Sequence, residues 1–103
     1  MKRVIASLFL VAAMAGTALA DVFVFETVDE FELEVSRLHF RGVPQGEAEP
    51  IDVTAFWWGE PQVHAVKACE RMALMAMARP GRYFLRVATS SERDILSCRL
   101  IRR

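Results

Sequence analysis

Apolar and polar residues alternate in several short stretches of this chain, and one longer stretch repeats with a helical period. Phe31, Leu33 and Val35 alternate with Glu32 and Glu34, the rhythm of a half-buried strand. Leu38 and Phe40 fall on the opposite parity, so a single strand over residues 31–40 requires a bulge near Ser36 or Arg37. A helix capped by Thr27 and Glu30, with Phe31, Val35 and Leu38 on its face, is the competing reading, and the alternation favours the strand. Residues 22–25 are apolar and rich in β-formers, which fits an edge strand or a loosely docked arm. Gly42, Pro44, Gly46 and Pro50 mark residues 41–50 as a loop. A second strand follows over 51–58, with Ile51, Val53, Ala55 and Trp57 on one face.

Pro61 then opens a helix, since its missing N–H is not needed in a first turn, and Arg79-Pro80-Gly81 closes it. Val66, Cys69, Ala73 and Ala76 recur on one face of that helix, with His64, Lys67 and Arg71 on another. Residues 83–87 form a third strand, residues 90–93 turn, and residues 95–101 form a fourth strand, with Leu96, Cys98 and Leu100 on one face. The expected fold is therefore α+β. It comprises a small antiparallel four-stranded sheet in β-β-α-β-β order, one helix packed on one face, and a single disulfide. Both cysteines fall on inward faces, so Cys69 and Cys98 are expected to bond.

The first twenty residues change the picture of the compartment. Lys2 and Arg3 precede an apolar run, and Ala18-Leu19-Ala20 precedes Asp21, the pattern of a cleavable secretory signal peptide. The domain reading is residues 1–20 as signal peptide and 21–103 as one small α+β domain. The protein is expected to be exported, periplasmic or secreted, with no stable membrane insertion after cleavage.

Charge balances over the whole chain but not along it. Residues 21–60 hold ten acids against Arg37 and Arg41, whereas residues 61–103 hold nine bases against Glu70, Glu92 and Asp94. Mutual neutralisation within one fold is the expectation, and no nucleic-acid partner is called for. One way to achieve it sets Glu32 and Glu34 opposite Arg82, Arg86 and Arg99 on the outer sheet face, which places the first strand beside one of the last two.

Little in the chain carries recognisable chemistry. There is no nucleophile motif, no glycine-rich phosphate loop and no zinc-ligand spacing around His39 or His64, so no enzyme activity and no cofactor are expected. Residues 72–78 contain no polar side chain, although Leu74 and Ala78 continue the face of His64, Lys67 and Arg71. Something must cover that end of the helix, either the arm at 22–25 or a protein partner. The functional expectation is a non-catalytic binding protein with a patch formed by Leu74, Met75 and Ala78, or by Phe56 and Trp58. The alternative is a copper carrier using Met72, Met75 and His64.

Overall fold

A computed structural model describes residues 20–103. The segment read as a signal peptide lies outside the described residues except for Ala20.

The chain's longest strand is also the centre of its sheet. β1 (Asp21–Glu34) pairs antiparallel with β2 (Arg37–Pro44) along its second half and with β4 (Tyr83–Thr89) along its first. β3 (Ile51–Phe56) flanks β2 and β5 (Ile95–Arg102) flanks β4, giving five strands in the order β3-β2-β1-β4-β5. The helix α1 (Glu60–Ala78) joins β3 to β4 and lies over β5, β1 and β4. The fold is α+β as expected, but with five strands rather than four.

The additional strand has a local cause. Residues 31–40 are not one bulged strand: Glu34 pairs with Arg37 across a two-residue turn at Val35 and Ser36, and Ser36 takes a positive φ of 63°. The change of parity marks a hairpin. The bulges lie earlier, between Phe25 and Thr27 and between Val28 and Glu30. They allow Phe25, Val28 and Phe31 all to face the core although two residues separate each from the next. Residues 22–25 are therefore neither an edge strand nor an arm, since Val22 pairs with Ala88 and Val24 with Arg86 in the middle of the sheet.

β2 runs on through Pro44, past the expected loop start at Arg41, and Gly42 lies buried within it. A Cβ on Gly42 would overlap the Thr27 carbonyl oxygen and lie 3.1 Å from Phe25 Cδ1, so the close approach of β2 to the bulged β1 needs a residue without a side chain. At the far edges the sheet curls on itself. The Phe56 N–H donates to the Arg93 carbonyl (2.8 Å), and Phe56 bridges Asp94 in the parallel sense, so β3 and β5 meet at one end.

The core gathers Phe25, Phe40 and Leu38 from the hairpin side, Leu85, Val87 and Ile95 from the other, and Val66, Cys69, Ala73 and Ala76 from α1. Those four helix residues are the face expected from their spacing. Phe40 packs with Phe25 (ring centroids 6.1 Å apart) and Phe31 (5.2 Å). Cys69 and Cys98 are bonded, with Cα atoms 5.3 Å apart. That bond ties the middle of α1 to an edge strand and fits an oxidising compartment. Leu96 departs from its expected inward face. An irregularity between Ala88 and Thr89 leaves it outside the pairing, so it is exposed while Ile95 turns in. Among the described residues, no helix is long and apolar enough to cross a membrane.

Candidate binding site

The buried stripe of α1 uses only part of its apolar surface. Leu74 (52% exposed) and Met75 (46%) stand on the outside of the last turns, with Ala78 also exposed. Met72 and Met77 lean against the core and are half-buried. Since residues 22–25 are held in the sheet, they do not cover this surface. Lys67 and Arg71 precede the apolar strip on the same exposed face, and Arg79 follows it. The result is a short hydrophobic surface bracketed by cations.

Phe56 and Trp58 belong to the opposite end of the helix, about 20 Å away at the usual rise per residue. Trp58 is 63% exposed, yet its indole N–H donates to Asp94 Oδ1 (2.9 Å), and its backbone N–H donates to Gln62 Oε1. The Gln62 amide in turn donates to the Ile95 carbonyl (3.4 Å). These bonds fasten the start of α1 to the start of β5, so this Trp is part of a latch. Phe56 is half-buried, and Trp57 packs against the core with its Nε1 buried and unpartnered among the described residues. The two alternative surfaces thus lie at opposite ends of α1. Nor do His64, Met72 and Met75 share a coordination sphere: eight residues of helix set His64 about 12 Å along the axis from Met72. Among the described residues, no group of three His, Cys, Asp or Glu side chains could hold a metal ion.

Two concavities went unseen in the sequence. A cleft of about 190 Å³ on the outer face of the β1–β2 hairpin is lined by Glu30, Glu32, Glu34, Arg37, His39 and Thr54. His39 is held there by Asp52 Oδ1 (3.0 Å) and Thr54 Oγ1 (3.3 Å), and Arg41 also pairs with Asp52 (2.8 Å). With both ring nitrogens engaged, His39 is an oriented structural group. Alternation along the paired β1 and β2 sets Glu32 opposite His39 and Glu34 opposite Arg37, on one face of the hairpin.

The Arg37 guanidinium, hydrogen-bonded to Glu34, is the main reason that the Glu34 carboxyl titrates below its usual range, with a further lowering from its contact with Glu32. A depressed folded-state value means a contribution present above the ordinary glutamate range and lost as pH falls through the lowered value. Glu34 is open to solvent, so the effect is small. Glu34→Gln should lower the thermal midpoint slightly at pH 7 and low salt, and not at all in strong acid. A midpoint difference independent of pH would contradict the assignment.

The second cleft, of about 340 Å³, is lined by Arg79, Gly81, Arg82, Tyr83, Arg102 and Arg103. It alters the expected charge balance. Only Arg93–Asp21 (2.9 Å) and Arg103–Glu26 (3.7 Å) join the acidic and basic halves of the chain among the described residues. Glu32 and Glu34 do not face Arg82, Arg86 and Arg99; they lie opposite His39 and Arg37 of β2. The first strand does adjoin β4, but through residues 21–25. Four of the nine bases, Arg79, Arg82, Arg102 and Arg103, instead gather around this cleft. An antiparallel hairpin of the last two strands would already have set Arg82 near Arg103, a signal present in the sequence.

Comparison with protein-family models, curated proteins and solved structures returned no match.

Proposed function

We propose that this protein is exported, loses residues 1–20, and acts as a non-catalytic binding module through the last turns of α1. The observation that carries this reading is the exposure of Leu74 and Met75 on a helix whose inner face is already packed. Apolar side chains adjoining one another on a surface favour docking, because covering them removes apolar area from water. Lys67, Arg71 and Arg79 bracket the strip and select the occupant. It is a partner protein presenting an apolar face edged by carboxylates, since opposite charges at the rim steer encounter and fix register. Export rests on the signal-peptide pattern, and the disulfide is in keeping with it.

Site-specific photocrosslinking in the native host tests this. A benzophenone side chain at position 75 should give one dominant protein adduct, whose crosslinked segment is apolar and acidic by mass spectrometry. The same probe at position 92, in the turn before β5, should not. Leu74→Asp should abolish the adduct while leaving the far-ultraviolet circular dichroism unchanged. An adduct pattern at position 75 indistinguishable from that at position 92 would overturn the reading.

A further inference from the structure

The arginine cleft is built by three elements that converge at one end of the sheet. Arg79 caps the end of α1, Arg82 precedes β4, and Arg102 and Arg103 end β5 and the described residues. Short backbone bonds fix this frame: the Arg82 N–H donates to the Arg79 carbonyl (3.1 Å), and the Arg103 N–H to the Arg82 carbonyl (3.0 Å). Tyr83 pairs with Arg102 across the strands. Gly81, at a positive φ of 84°, turns the chain from helix to strand and adds no side chain to the cleft.

Arg103 is partly occupied, 3.7 Å from Glu26 and stacked 4.7 Å from the Phe84 ring centroid. Arg79, Arg82 and Arg102 form no ion pair among the described residues. Holding like charges around one concavity opposes folding, because they repel. The negative end of the helix dipole accounts for a cation at Arg79, but its influence fades within a turn and does not explain those delivered by β5. Guanidinium groups are planar forks that match the oxygens of phosphate and sulfate, and a tyrosine hydroxyl is a further donor.

We propose that this cleft binds a doubly charged oxyanion, the phosphate monoester group of a small ligand or of a lipid headgroup, with Arg79, Arg82 and Arg102 as its principal donors. Leu74 and Met75 do not line the cleft, so the proposal stands apart from the docking surface.

Titration of the mature protein with glycerol 3-phosphate, followed by amide chemical shifts at constant ionic strength, tests it. Saturable shifts are expected at residues 79–83 and 102–103. Arg82→Gln with Arg102→Gln, both exposed in the fold, should weaken binding at least tenfold with the spectrum otherwise retained. Leu74→Asp should leave it unchanged. Sedimentation with phosphatidylcholine vesicles carrying phosphatidic acid then distinguishes the sources. Association tighter than that of the soluble ester, and lost in the arginine double variant, assigns the site to a headgroup; association no tighter assigns it to a soluble ester. Shifts reproduced by sodium chloride, or undiminished in the double variant, would overturn the proposal.

Discussion

Gly42→Ala should destabilise the domain by about 3–5 kcal/mol, a large part of the stability of a small domain, and lower its thermal midpoint by roughly 15–30 °C. The methyl group would meet backbone, not a flexible side-chain end. It overlaps the Thr27 carbonyl oxygen and lies 3.0 Å from the carbon of that carbonyl. Thr27 sits between the two bulges of β1, and their register lets Phe25 and Val28 both reach the core. Moving β2 away to admit the methyl group therefore disturbs the pairing and the Phe25–Phe40 contact together. The measurement is equilibrium denaturation, with Gly46→Ala as a control. Gly46 has open space around its Cβ direction and only its positive φ to lose, so it should cost about 1 kcal/mol. Equal effects at the two positions would show that steric approach is not what constrains Gly42.

Breaking the Cys69–Cys98 bond should cost roughly 3–4 kcal/mol. Its 29-residue separation sets the entropy that the crosslink removes from the unfolded chain. The bond has a structural role as well, because it joins the buried centre of α1 to β5, a strand with a neighbour on only one side. Reduction with a thiol reagent should lower the urea midpoint, and Cys69→Ala with Cys98→Ala should do the same without any reagent. Removing the crosslink should also increase amide exchange most in β5, relative to β2. A reduced protein within about 0.5 kcal/mol of the oxidised one would show that packing alone holds α1 in place.

The helix was the most legible element. Pro61 marks its start, Pro80-Gly81 its end, and the recurrence of Val66, Cys69, Ala73 and Ala76 its buried face, because helical periodicity in a chain without interruptions maps directly onto burial. Cys98 on the alternating face of the last strand then made the crosslink readable. The β1–β2 hairpin was not. Its turn is Val35-Ser36, with neither glycine, asparagine nor aspartate to announce a tight reversal. The bulges of β1 place core residues at Phe25, Val28 and Phe31, a spacing that resembles a helix more than a strand. Of the candidate site, the exposed end of α1 was legible from its uninterrupted apolar run. The separation of Trp58 from it follows simply from helix length. Part of the arginine cleft, Arg82 beside the end of the last strand, follows from a hairpin of the last two strands, whereas the addition of Arg79 depends on where α1 ends against the sheet.

The position of β1 also bears on when the molecule can fold. Its first residues pair with the segment that ends at Thr89, so Asp21 finds its neighbour only once Thr89 has been made. A ribosome releasing this chain from its amino end delivers the middle strand of the sheet before β4 and β5, which complete one side of it. Pairings this distant in sequence carry a high closure entropy and slow formation, typically into the millisecond-to-second range. The β1–β2 hairpin can form early, but the β1–β4 pairing closes only after Thr89 has emerged. Until then the first residues of β1 lack the neighbour that holds them at the centre of the sheet.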